Sequence, residues 1–220
     1  MVYPANMEDF KSIIAFYDDV IERTADVQEY ARWQKGKHPT EEGIKAYIQE
    51  GSMYLYKEQD TLVGAMALTM YQGEDYHAIE WSEQVPDDEV AVIHILAVSP
   101  DRQGTGIGSK MVRDAIELAK VKGMKAIRLD ALATNAPAHK FYERLGFEYR
   151  GKQHLYAENT GWTDFFFFEY QEGPHICLIE KDKWGTALDL VKEVFMEFEA
   201  PDYGKEQITN GVRYFPMARF

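Results

Sequence analysis

The sequence predicts an α/β fold, a mixed sheet with helices on both faces. Three observations carry this. Val90–Val98 reads as a strand and leads, through a Ser99-Pro100-Asp101 turn and a glycine-rich run, into a helix that ends near Gly123. A second strand-then-helix unit follows at Ala126–Leu132 and Ala136–Leu145. Ahead of both, Met7–Arg23 carries an apolar stripe at helical spacing.

The elements follow in order. In Met7–Arg23 the stripe is Phe10, Ile13, Ile14, Tyr17, Val20 and Ile21. Ala25–Pro39 is polar and aromatic and reads as a loop with helical pieces. Thr40 is a helix N-cap signal and Gly51 ends that helix. Met53–Lys57 and Leu62–Tyr71 read as paired strands. Gln72–Glu89 reads as an inserted loop. After the two strand–helix units, Phe147–Gly151 and Asp164–Tyr170 read as a closing pair of strands. Gly173-Pro174 is a break, giving a domain over residues 1–171 and an extension over 172–220. In the extension, His175–Glu180 reads as a strand. Ala187–Glu199 reads as a helix with Leu188, Val191, Val194, Phe195 and Phe198 on one side.

Composition narrows the function. A chain of 220 residues with 45% hydrophobic and 14% aromatic content can bury a full core. The net charge of −13 argues against nucleic acid or an anionic membrane as partner, since both are polyanions. The single cysteine, Cys177, has no intrachain disulfide partner and fits a reducing, cytoplasmic compartment. Glu8 and Asp9 precede any apolar run, unlike a signal peptide, and no stretch approaches the roughly 20 apolar residues of a membrane helix. Gln72–Glu89 holds seven acids and no Lys or Arg. It is either a solubilising surface or a negative rim that draws in a cationic amine.

The run Gln103-Gly104-Thr105-Gly106-Ile107-Gly108 has the makings of an anion cradle. At the head of a helix the first N–H groups have no helical partner, and the dipole adds roughly half a positive charge. Glycines let a pyrophosphate approach the backbone. Gly108 is followed by Ser109-Lys110, so the run is not a P-loop, and its G-x-G-x-G spacing is not the dinucleotide fingerprint. The Gln-x-x-Gly-x-Gly pattern resembles the acyl-CoA loop of the GCN5-related N-acetyltransferase (GNAT) family. Further on, Asn135-Ala-Pro-Ala138-His-Lys-Phe141-Tyr142-Glu-Arg-Leu145-Gly146-Phe147 matches every specified position of that family's N-x-x-A-x-x-[FL]-Y-x-x-x-G-F signature. The resemblance covers roughly residues 1–170, beginning with a first strand and helix start at Val2–Asp9. Leu190–Ile208 is similar to the opening of a second such domain that lacks its own glycine loop.

The resemblance implies the acyl-CoA N-acyltransferase fold, a mostly antiparallel twisted sheet, and acetyl transfer from acetyl-CoA to a primary amine with no metal. It implies that strand 90–98 splays from strand 126–132 and that the co-substrate's pantetheine inserts between them. Backbone of Leu96, Ala97 and Val98 would bond it, and the amides of Gln103, Gly104, Thr105, Gly106, Ile107, Gly108 and Ser109 would hold the pyrophosphate. Asn135 and Ala138 would form the opposite wall. A strand amide would polarise the thioester carbonyl, a type of contact worth ~10²–10³ in rate. Tyr142 would be the general acid.

The base is open. An alkyl ammonium has a pKa of about 10.4 and must lose a proton before it attacks. His94 is a candidate, since an unperturbed imidazole titrates near about 6.5. Period-2 alternation places it on the face of Leu96 and Val98. Glu80 and Glu89 are rivals, directly or through water. Trp33, Tyr71, Trp81 and Trp162 are candidate walls of an amine pocket. The expected acceptor is a small cationic amine. Protein N-termini or lysines form one alternative, and a non-catalytic acetyl-CoA-binding module another. A homodimer through the C-terminal stripe is a further possibility.

Overall fold

The computed structural model describes residues 1–171. The expectations for 172–220, including the domain boundary, the second-domain resemblance and the apolar stripe, lie outside the described residues. In chain order the elements are β1 (Tyr3–Pro4), α1 (Phe10–Arg23), α2 (Val27–Tyr30), α3 (Glu41–Glu50), β2 (Met53–Glu58), β3 (Thr61–Thr69) and β4 (Val90–Val98). After these come α4 (Ile107–Val121), β5 (Ala126–Leu132), α5 (Ala136–Glu143), β6 (Phe147–Ala157) and β7 (Gly161–Tyr170). The closing hairpin is longer than the sequence suggested, because Lys152–Ala157 and Gly161–Thr163 continue its pairing.

Local chemistry sets the helix ends. Asn6 and Asp9 form a capping box ahead of α1. The Thr40 hydroxyl accepts from Gly43 N–H at 3.0 Å, and Gly51 closes α3 at φ +78°. Asn135 Oδ1 accepts from Ala138 N–H at 3.2 Å, and Pro137 sits in the first turn of α5.

The seven strands form one sheet in the order β1-β2-β3-β4-β5-β7-β6. Every neighbouring pair is antiparallel except β4–β5. One face packs on α4 and α5 through Met111, Ala115, Ile116, Leu129 and Phe168. The other packs on α1 and α3 through Ile13, Tyr17, Ile44 and Ile48. The segment 72–89 is no solvated arm. Its Tyr76, Ile79 and Trp81 are buried against Val90, Val92 and Phe167. Burying three such side chains stabilises their docking by about 1.5–3 kcal/mol each. No described helix is long and apolar enough to cross a membrane.

Two features shape the site. The parallel pairing of β4 with β5 covers only Val90–Val92 against Ala126–Arg128, so beyond it the two strands part. The second feature is a bulge in β4. Ala67 faces His94 while Ala65 faces Ala97, so one extra residue is inserted on β4 opposite Met66. Ile95 sits there at φ +44°, a conformation that a β-branched residue rarely adopts. The bulge corrects the alternation argument. His94 shares its face with Ala97, toward α3, whereas Leu96 and Val98 face α4.

Candidate active site

The opening between β4 and β5 is a cleft of about 460 Å³. Because the strands part, it is lined from both faces of the sheet. From the α4/α5 face come Leu96, Val98, Ala138 and Tyr142; from the α1/α3 face come His94, Ala97, Tyr47 and Trp33. Gln103 and Asn135 line it as well. The segment after α1 spans the mouth. Thr24 Oγ1 accepts from Gln103 Nε2 at 3.2 Å, Glu29 O from Thr134 Oγ1 at 3.2 Å, and Thr160 O from Arg32 Nη1 at 2.8 Å. These ties hold Trp33 and His38 against the cleft.

At the head of α4, Gly104 and Gly106 have φ of +77° and +86°. A Cβ at either would meet no atom within 4 Å, so the loop borders open space. The first helical bond of α4 runs from Lys110 N–H to Gly106 O at 3.0 Å, which leaves the helix itself no partner for the amides of Ile107, Gly108 and Ser109. Thr105 Oγ1 braces the turn on Arg102 O at 2.6 Å, and the buried Ile107 anchors it. Gly108 packs closely, since a Cβ there would lie 3.3 Å from Phe141 Cζ and the ring would have to shift by a few tenths of an ångström.

The ionisable groups of the cleft are ordered by burial. Burial pushes the Tyr142 phenol well above its ordinary value, and nearby Asp130 adds to this. Tyr142 is 8% exposed, packed edge-on to Phe141 and Phe147. Burial lowers the pKa of His94 below its usual value, partly opposed by Asp130 and Glu50. His94 lies stacked on Tyr47, with ring centroids 6.0 Å apart. Its tautomer follows from its partner. The Thr69 hydroxyl has one proton and donates it to Tyr71 O at 2.9 Å. At 3.2 Å from His94 Nε2 it therefore accepts, so neutral His94 carries its proton on Nε2 and keeps a lone pair on Nδ1.

Sequence reasoning missed Asp130. It lines the cleft from β5, on the face of Arg128, and accepts a 2.6 Å bond from Tyr76 Oη. The signal was present as two charged residues at alternate positions of an otherwise apolar strand. His38 and Tyr47 also line the cleft and went unremarked. Of the four candidate walls of the amine pocket, only Trp33 is among the described lining residues. Glu80 is exposed, Tyr71 is 48% exposed outside the cleft, and Trp81 is buried beneath segment 72–89. Trp162, on the hairpin tip, is 67% exposed and stacks on His154. Glu89 is engaged by Lys125 at 2.8 Å. Among the described residues no cluster could hold a metal ion.

A sheet opened at a parallel pair, with a glycine-headed helix at one end of the gap, is a site shaped for an extended ligand with an anionic end. The sequence model of the Acetyltransferase (GNAT) family matches residues 15–147, and the chain belongs to that family. An uncharacterized N-acetyltransferase of Methanocaldococcus jannaschii is 43% identical over 68 residues, 31% of this chain and 30% of that protein. An uncharacterized N-acetyltransferase of Bacillus subtilis is 26% identical over 108 residues, 49% of this chain and 59% of that one. The matches thus span less than two thirds of either relative. Among solved structures, a Salmonella typhimurium protein with its cofactor acetyl-CoA shares the fold at TM-score 0.56 and 17% identity, over 81% of this chain and 97% of that one.

Proposed function

We infer that this chain transfers an acetyl group from acetyl-CoA to a primary amine on a small cationic molecule. The observation that carries the acceptor is the charge of the cleft. Among the described lining residues Asp130 is the one Asp, Glu, Lys or Arg, and burial favours neutral His94 and His38. A lone carboxylate walled by Tyr30, Trp33, Tyr47 and Phe165 attracts an ammonium ion by charge and by the faces of the rings.

The residues present fit acetyl-CoA. The open space over Gly104 and Gly106, the free amides at the head of α4, and the β4 backbone released from β5 make a cradle leading into a slot. Gln103–Ser109 would hold the pyrophosphate, and Leu96, Ala97 and Val98, with Asn135 and Ala138 opposite, the pantetheine. When bound, acetyl-CoA supplies the acetyl group as an activated thioester. Asp130 holds the cation beside it. His94 Nδ1 takes the proton that the ammonium must lose before its nitrogen can attack. Tyr142 Oη retains its proton through the neutral range and can donate it to a leaving thiolate.

Thiol release from acetyl-CoA, screened over polyamines, aminoglycosides, arylalkylamines, amino acids and short peptides, tests this reading. Turnover with a small cationic amine, lost in Asp130→Asn, is expected. Turnover confined to peptides would move the acceptor to protein N-termini or lysines. Acetyl-CoA binding without turnover of any amine would leave a binding module.

A further inference from the structure

We propose that Tyr76 is a positioning residue for the acceptor amine, and that segment 72–89 acts on the reaction through its hydroxyl. The proposal rests on the reading of Asp130 as the ammonium anchor. Tyr76 is 5% exposed, and its Oη reaches Asp130 Oδ1 at 2.6 Å across 54 residues of sequence. Burial, and next the charge of Asp130, push the Tyr76 phenol well above its ordinary pKa, so it stays a donor at any working pH. A carboxylate that accepts a fixed hydrogen bond is oriented by it. One oxygen is thereby committed to Tyr76, leaving Oδ2 for the ammonium.

The ring that carries this hydroxyl is itself fixed. Trp81 stacks on it at 5.8 Å and 15°, and Phe167 meets it edge-on at 5.1 Å. Trp81 Nε1 donates to Tyr76 O at 2.8 Å. The Arg128 guanidinium lies 4.0 Å over the Trp81 ring. Arg128 is anchored in turn on Glu169 Oε1 at 2.9 Å, Gln72 Oε1 at 2.7 Å and Glu83 O at 2.9 Å. The segment is therefore tied at Gln72 and Glu83, on either side of Tyr76, to the strand that carries Asp130, two residues from it. A tyrosine that merely filled core space would need no such frame behind its hydroxyl.

Tyr76→Phe keeps the ring and removes the bond. The other titratable groups that act on or feel Asp130 are His94, His38, Tyr47 and Tyr142, and all remain. At neutral pH the amine KM should increase on the order of 10-fold, the weight of a hydrogen bond to a charged group. The KM for acetyl-CoA, and the acidic limb of kcat set by His94, should not move. Trp81→Phe, which loosens the ring but leaves the hydroxyl, should shift the amine KM in the same direction by less. An unchanged amine KM in Tyr76→Phe overturns the proposal. So does an equal rise in both KM values with a lower melting temperature, which marks a structural role. Asp130→Asn separates the two readings. If it is fully active, the anchor itself is wrong; if it is impaired while Tyr76→Phe is not, only the role of Tyr76 fails.

Discussion

At the scale of single residues, the site depends on an unfavourable backbone conformation and on two groups kept in the right protonation state. Ile95 at φ +44° costs of order 1–3 kcal/mol. The buried Tyr17 holds the bulge by donating to Ile95 O at 2.8 Å. Tyr17→Phe leaves a partly buried carbonyl without that donor and should cost about 1–3 kcal/mol in urea unfolding. Because the bulge aims the Leu96 and Ala97 backbone into the cleft, kcat should fall with it, on the order of 10-fold by the same energy. A variant equally stable and equally fast would detach Tyr17 from the geometry of β4. For the acid and base the signs are opposite. Burial lowers the pKa of His94, so its neutral form prevails at pH 7 and is lost only as pH falls through a midpoint below about 6.5. His94→Ala should therefore abolish the acidic limb of the kcat–pH profile. Survival of that limb would assign the base elsewhere. Tyr142→Phe should lower kcat on the order of 10²-fold with acetyl-CoA affinity unchanged. The raised pKa of Tyr142 also means that any alkaline limb near pH 9 does not arise from it.

At the scale of elements, the glycine loop and the buried arginine frame make separable contributions. In the sequence reading, Gly106 was needed to let a ligand approach. The structure bears on strain in the turn as well, since its φ of +86° is strained for any L side chain even though the space above it is empty. Gly106→Val should weaken acetyl-CoA binding in calorimetry by on the order of 10-fold or more, and equal affinity in a folded variant would remove the loop from the site. The frame behind segment 72–89 behaves differently. The side chains of Arg128 and Glu169 are 1% and 3% exposed, so removing one partner strands a buried charge. Arg128→Met should destabilise the domain by about 3–5 kcal/mol, read by thermal melts, and a change within experimental scatter would mean that Glu169 finds another cation. Arg150, whose Nε lies 3.3 Å from Glu169, is the obvious substitute. These elements also mark how far the sequence was legible. The glycine loop and the Asn135–Phe147 helix were readable because turn and cap residues declare their conformations locally. The bulge was not, because nothing in Val-Ile-His-Ile-Leu announces a left-handed isoleucine that is held by a tyrosine 78 residues away. Segment 72–89 is the loop the sequence suggested, but its docking was not legible because its seven acids outweighed Tyr76, Ile79 and Trp81, the side chains that are buried.

At the scale of the whole molecule, every residue given a part in the proposed reaction lies within residues 1–171. Among the described residues β6 is the outer strand on one side of the sheet, and Gln171 N–H donates to Gly146 O at 2.9 Å. The described residues supply three buried clusters and line the cleft. A domain of this size buries about 70% of the surface its unfolded chain exposes, enough for independent stability. A chain ending at Gln171 should therefore fold, bind acetyl-CoA and turn over the same amine as the full chain. Residues 172–220 should add stability or change the oligomeric state, because burying a stripe such as Leu188, Val191, Val194, Phe195 and Phe198 is worth about 1.5–3 kcal/mol per side chain. Thermal melts, light scattering and thiol-release kinetics on the two chains decide this. Equal kcat with a lower melting temperature or a different mass in the shorter chain is the expected result. An insoluble or unfolded shorter chain would make the last fifty or so residues part of the core and misplace the boundary at 171. A folded shorter chain that binds acetyl-CoA but fails to turn over amine would instead make those residues part of the active site.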